Sequence, residues 1–255
     1  MKLLIKIPTR QRVEKFFKLL DICIQRLSGE HDYSFLISSD TDDLSMNNED
    51  VKSRLDSYKN LLHFYSARDT KIGACNRDMD KVPDDWDVVV LISDDMMPVV
   101  DNWDKYILDS MKEHFPDTDG VLWFYDGHRA DINTVSILGN KYYKRFGYIY
   151  YPEYRSFYCD DEHTIVARSL KKQKRCHFPY CWNIPSTHSD DPNKKEITLI
   201  EHQHYSFSEE FTKLPKHIKK LNPLKGADQI QIENRPDIEH DAELFRQRGI
   251  ENYGL

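Results

Sequence analysis

With 255 residues, 39% of them hydrophobic and 12% aromatic, the chain can build one large domain, or one domain with a C-terminal extension, and is not a disordered polymer. Its formal charge of −7 leaves no footprint for indiscriminate polyanion binding. The opening MKLLIKIPTR is too short an apolar stretch for a signal peptide and no window approaches a membrane span, so a soluble, cytoplasmic protein is expected. Five cysteines without a paired CxxC spacing (Cys23, Cys75, Cys159, Cys176, Cys181) read as reduced thiols. Cys176, His177, Cys181 and His188 can be drawn as a zinc set, but their spacing is loose and ordinary packing accounts for them better.

Along the chain, strands alternate with helices. Residues 3–7 form a short apolar strand stopped by Pro8. Thr9-Arg10-Gln11-Arg12 then leads into a helix whose apolar face is Val13, Phe16, Phe17, Leu20, Cys23, Ile24 and Leu27. A second strand over 33–38 runs into the acidic loop Ser39-Asp40-Thr41-Asp42-Asp43. A short helix is expected over 51–58, a third strand over 61–65 and another helix over 71–79. Val88, Val89, Val90, Leu91 and Ile92 are a continuous apolar run, the mark of a central strand covered on both faces. Asp101 or Asn102 is placed to cap a helix carrying Trp103, Tyr106, Ile107 and Met111, and a further strand is expected over 121–125. This is the pattern of an α/β fold with a mostly parallel sheet and helices on both faces. Beyond about residue 126 it becomes less regular: 137–151 is rich in aromatics and glycine, 183–196 reads as a polar mobile loop, and 236–248 reads as a terminal helix.

The most informative segment is WDVVVLISDDMMP, where the central strand ends in Asp94 and Asp95. Carboxyl ends of strands open into the ligand crevice of such sheets, and two carboxylates there present hard oxygens suited to Mg²⁺ or Mn²⁺. Read alone, an acidic pair after a strand is more often a turn and helix cap.

The order IPTRQR, LISSDTDD, KIGACNRDMD, WDVVVLISDDMMP and GYIYYPEYRSFYCDDEHTIVARSL resembles GT-A glycosyltransferases, most closely those of glycosyltransferase family 2. The resemblance is good over residues 1 to about 172 and implies a GT-A domain over 1–205, with 206–255 a helical extension packed on it. It implies an enzyme that moves a sugar from a nucleotide-diphosphate sugar to a hydroxyl acceptor, whether glycan, protein or hydroxymethylated nucleobase, with Mn²⁺ or Mg²⁺ as cofactor and inversion at the anomeric carbon. Pro8, Thr9, Arg10 and Asp40, with Asp42 as an alternate, fall where that family holds base, ribose and diphosphate; Lys71 and Asn76 fall where it lines the nucleotide pocket. On their own, Asp40 to Asp43 also read as a solvated turn, and Lys71 and Asn76 as surface helix residues.

Asp94 and Asp95 match the family's DXD metal motif, although Ser93-Asp94-Asp95 departs from Asp-any-Asp; Asp95 is expected to bind the cation, with Asp94 near the ribose or behind the metal. His202 and His204 in LIEHQHY are candidates for a further ligand, and equally for an exposed polar strand; His188 is a weaker one. The base is expected in Cys159-Asp160-Asp161-Glu162, with Asp161 and Glu162 as the family pair and Asp160 beside them. The helix dipole favours acidic residues at such a place in any case. Tyr151, Tyr154 and Tyr158 read either as stacking surfaces for an acceptor or as half-buried core. Two other readings stand beside this one: a nucleotidyltransferase that makes the sugar nucleotide, against which IPTRQR lacks a glycine-rich phosphate loop, and a nucleotide- or glycan-binding module without activity.

Overall fold

The computed structural model describes residues 1–94, 96–98, 100–124, 131–176, 182–183 and 237–255. In chain order these form β1 (Lys2–Pro8), α1 (Val13–Gln25), β2 (Asp32–Asp40), α2 (Glu49–Asp56), β3 (Leu61–Ser66), α3 (Lys71–Asn76), β4 (Val88–Leu91), β5 (Met97–Pro98) and α4 (Trp103–His114). They continue with β6 (Val121–Phe124), β7 (Ile137–Gly139), α5 (Asn140–Phe146), α6 (Cys159–Ser169), β8 (Gln173–Cys176), β9 (Trp182–Asn183) and α7 (Asp237–Ile250). Seven strands make one sheet in the order β3-β2-β1-β4-β7-β6-β8. It is parallel except at β7, which runs antiparallel to both β4 and β6.

Alternation within the central strands explains why both faces are covered. Leu3, Ile5 and Ile7 of β1 and Val88, Val90 and Ile92 at β4 face a core built with Phe16, Leu20, Trp103 and Ile107 of α1 and α4. Leu4, Val89 and Leu91 face the other way, onto Ile72 of α3, Tyr142 of α5, Ala167 of α6 and Phe245 of α7. The parallel register pairs Lys6 with Leu36 and Leu91, and Pro8 with Ser38, so β1, β2 and β4 deliver the residues that follow them to one edge of the sheet.

Several local expectations are corrected. The helix expected over 71–79 ends at Asn76, because Arg77 turns extended and Asp78 adopts a left-handed φ of 66° before a 3-10 turn over Met79–Lys81. The short helix after Asn48 starts at Glu49, where the Asn48 side chain accepts from Val51 N at 3.0 Å. Asn102 stands before α4 without a side-chain cap bond; Asp104 in the first turn instead accepts from Ser28 N at 2.8 Å and Ser28 Oγ at 2.7 Å. The segment expected to be irregular after 126 holds β7, α5 and β8, too short or too polar to show periodicity. Tyr125, most of the loop over 183–196 and the proposed domain boundary at 205 lie outside the described residues.

Insertion of the antiparallel β7 depends on a close approach. A Cβ on Gly139 would lie 2.0 Å from the Thr118 carbonyl oxygen, a backbone atom that also accepts from Tyr142 N. Gly139→Ala should therefore destabilise the protein by ~1–3 kcal/mol and lower its melting temperature by several degrees in a thermal melt. An unchanged Tm would show that Thr118 yields freely.

Candidate active site

The four residues after Pro8 meet four carboxylates. Thr9 Oγ1 donates to Asp94 Oδ2 at 3.0 Å, and Arg12 Nη1 to Asp94 Oδ1 at 2.5 Å. Arg10 Nη1 donates to Asp40 Oδ2 at 2.9 Å and to Asp42 Oδ1 at 2.7 Å. Gln11 N donates to Asp43 Oδ2 at 2.7 Å. Asp40, Asp43 and Asp94 are buried and Asp42 is exposed. The hydrogen bond to Asp42, more than that to Asp40, holds Arg10 above its ordinary pKa, and Arg10 in turn lowers Asp42. Pro8, Thr9, Arg10, Asp40, Asp42 and Asp94 are thus brought together at the carboxyl ends of β1, β2 and β4.

Beneath them lies a buried network that sequence reasoning missed. Arg77 Nη1 donates to Asp40 Oδ1 at 2.7 Å, so Asp40 lies between two guanidinium groups. Lys6, fully buried in β1, donates from Nζ to Ser38 Oγ. Ser38 Oγ donates to Asp78 Oδ2 at 2.5 Å, and Lys81 Nζ donates to Asp78 Oδ1 at 2.6 Å. Burial lowers Lys6 from the ordinary 10.5 to about 7, against the opposing field of Asp78. Burial alone would raise Asp78, but hydrogen bonds from Lys81 and Ser38 outweigh it and leave the pKa lowered. The one signal in the sequence was a lysine standing alone inside the apolar run LLIKI.

Lys71 and Asn76 have other surroundings than the nucleotide edge. Lys71 is exposed at the start of α3, where its charge reaches the Cys159 thiol at the head of α6. The Asn76 amide is spent on the backbone: Nδ2 donates to Tyr150 O at 2.7 Å, while Oδ1 accepts from Ile149 N at 2.9 Å and Tyr150 N at 3.0 Å. Asn76 therefore hangs the aromatic segment before α6.

That segment carries the acidic triplet into the first turn of α6. Asp160 and Asp161 are half-buried, and the field of Asp160 reaches the buried Tyr150 hydroxyl. Glu162 is 3% exposed and its oxygens are taken: Arg248 Nη2 donates to Oε1 at 2.7 Å and Tyr154 Oη to Oε2 at 2.8 Å. Of the tyrosines read either as stacking surfaces or as half-buried core, Tyr154 is core. Tyr158 stacks on Phe245 at 5.4 Å, and Tyr151 carries the Arg248 guanidinium 3.7 Å from its ring centre. All three are engaged by the protein itself. Asn133 binds the far side of α6, donating from its N to Thr164 Oγ1 at 2.8 Å and from Nδ2 to Leu122 O at 3.1 Å.

Among the described residues no group of three or more His, Cys, Asp or Glu side chains is gathered to hold a metal ion. Asp94 nevertheless fits the edge of such a site, being a hard oxygen donor held at the end of β4 by a hydroxyl and a guanidinium. Asp95, His188, His202 and His204 lie outside the described residues, as do His177 and Cys181 of the zinc alternative. Burial raises the Cys176 thiol to about 11.

No protein-family model and no curated protein matches the sequence. Solved structures do match the fold. At a TM-score of 0.55 and 13% identity, 69% of the chain aligns with 54% of the mannosyltransferase PcManGT from Pyrobaculum calidifontis in complex with GDP-Man and Mn²⁺. At 0.56 and 12%, 72% of it aligns with 60% of S. aureus TarS 1-349 in complex with UDP; for the same protein with UDP-GlcNAc the values are 0.53 and 14%, over 72% and 58%. The chain has the GT-A fold. It spans 54–60% of the length of these GT-A neighbours. No helix among the described residues is long and apolar enough to cross a membrane.

The buried lysine under this GT-A sheet edge makes a prediction about pH. Folding lowers its pKa, so between about 7 and 10.5 the unfolded chain keeps a proton that the folded chain releases. Stability from this group must then rise with pH across that window, by up to ~1.4 kcal/mol per unit. Urea denaturation at pH 7, 8 and 9 should show the wild type gaining on Lys6→Met as pH rises. Parallel curves would show that folding does not disfavour the Lys6 charge.

Proposed function

We propose that the chain is a metal-dependent glycosyltransferase that moves a sugar from a nucleotide-diphosphate sugar to a hydroxyl acceptor, with inversion. The observation that carries this reading is the convergence of Asp40 and Asp94 at the ends of β2 and β4, the strands on either side of β1 in a GT-A sheet, both gripped by residues 9–12. Asp40 accepts a hydrogen bond from a base N–H or ribose hydroxyl, with Arg10 and Arg77 holding its carboxylate in orientation. Arg10 and Arg12, on the same turn, are cations held at these strand ends, where a diphosphate would meet them.

Asp95 would hold Mn²⁺ or Mg²⁺ directly, with Asp94 behind it and His202 or His204 completing the set. When bound, the cation neutralises charge developing on the leaving diphosphate. On the acceptor side, Asp160 or Asp161 takes the proton of the attacking hydroxyl. Glu162 serves as the anchor of this turn and not as the base, because it is buried and already engaged by Arg248 and Tyr154. The acceptor is a hydroxyl-bearing glycan, protein or hydroxymethylated nucleobase.

The test is donor turnover by the full chain. Incubation with UDP-glucose, UDP-N-acetylglucosamine, UDP-galactose or GDP-mannose should release nucleoside diphosphate from at least one donor with Mn²⁺, and not in excess chelator. Asp95→Asn should lower turnover by on the order of a hundredfold or more. Full activity in chelator overturns the metal assignment, and synthesis of a sugar nucleotide from a sugar phosphate would favour a nucleotidyltransferase. Either Asp160→Asn or Asp161→Asn should abolish turnover while leaving nucleotide affinity intact. If neither does, or if the product retains the anomeric configuration, the base assignment is wrong.

A further inference from the structure

Helix α7 comes from the far end of the sequence, yet its two buried charges both reach the segment that carries Asp160 and Asp161. Asp241 is fully buried, and its carboxylate accepts from three consecutive backbone N–H groups: Arg155 at 2.9 Å, Ser156 at 2.7 Å and Phe157 at 2.7 Å. These residues precede Tyr158, whose φ of 59° turns the chain into α6. Two helical turns beyond Asp241, and so on the same face of α7, Arg248 donates to Glu162 from Nη2 at 2.7 Å and from Nε at 3.2 Å. Burial works against the charge of Arg248, but its hydrogen bond and ion pair with Glu162 prevail and raise its pKa. Between the two charges, Phe245 stacks on Tyr158. The helix thus grips the loop and the first turn of α6 at separate points.

We propose that α7 is a positioning brace for the acceptor half of the site. Asp241 sets the path of the loop, and Arg248, acting through Glu162, sets the rotation of α6 and with it the direction of Asp160 and Asp161. The proposal rests on reading those aspartates as the acceptor-side carboxylates of a glycosyltransferase. Three adjacent N–H groups on one buried carboxylate define the backbone far more narrowly than apolar packing would, and an aspartate carrying a catalytic proton needs that definition. Neither Asp241 nor Arg248 is asked to touch a substrate.

Full-length wild type, Asp241→Asn, Arg248→Met and Arg248→Lys are compared below their melting temperatures, on whichever of the four donors the wild type turns over with Mn²⁺. Two quantities are read: nucleoside diphosphate release with water as acceptor, and the dissociation constant of the free nucleoside diphosphate with Mn²⁺. Asp241→Asn and Arg248→Met should slow release by roughly ten- to a hundredfold, because small misplacements of a reacting group cost that much, while the dissociation constant stays within about twofold. Arg248→Lys restores a cation beside Glu162 and should recover most of the rate. Unchanged release overturns the brace. So does faster release, which would make α7 an obstruction, and so does an equal loss of release and nucleotide affinity, which would make it a general support of the fold. A wild type that consumes none of the four donors refutes the glycosyltransferase reading and the brace with it, and that result is seen before any substitution is compared.

Discussion

Four carboxylates cannot share one sheet edge unless cations and N–H donors hold them there, and residues 9–12 are what permits it. Asp40, Asp42, Asp43 and Asp94 lie at or just past the ends of two strands and are held by Thr-Arg-Gln-Arg: Arg10 takes Asp40 and Asp42, Gln11 takes Asp43, and Thr9 and Arg12 share Asp94. The arrangement has a local cost. Gln11 sits at a left-handed φ of 59°, and Arg12 stands at the start of α1 with no side-chain cap bond, since a guanidinium, here donating to Asp94, has no acceptor to offer the helix N–H groups. Burial of Phe16 and Leu20 against β1 keeps α1 in place without that cap.

Much of this edge was legible because it lies where apolar runs stop. A strand buried on both faces shows as an unbroken run, and polar residues after it fall at the crevice by topology, which is how Asp94 was placed; Thr9, Arg10 and Asp40 were placed by the resemblance to the family's motifs. What escaped were the partners. Arg77 and Asp78 sit one and two residues past the true end of α3, and a helix carried on to Met79 points them elsewhere. Lys6 was hidden by its neighbours, because an alternating strand with one lysine reads as exposed on that face until Ser38 and Asp78 are found opposite. No local pattern announces a contact between residues 30 to 40 apart.

The second half was less legible for a different reason. Between α5 and α6 the chain has no period, so its shape is dictated from outside: by Asn76 of α3 at Ile149 and Tyr150, by Ile72 N bonding Arg155 O at 3.1 Å, and by Asp241 of α7. The acidic triplet could be assigned to a first helical turn from its order alone. That Glu162 would be withdrawn from chemistry could not, because Arg248 is 86 residues away.

These contacts divide the site into two halves of different stiffness. Arg10 bridges buried Asp40 and exposed Asp42, so it can release Asp40 to a nucleotide while keeping its other partner. Exchange of this kind would suit the donor half of the glycosyltransferase proposed above. Glu162 and Arg248 are buried and bonded to each other as well as to Tyr154 and the Tyr253 carbonyl, so removing either partner would cost ~3–5 kcal/mol. Under the function proposed for this chain, adjustments on donor binding would fall on the arginines at the ends of β1 and α3, while α7 would hold the first turn of α6 in place.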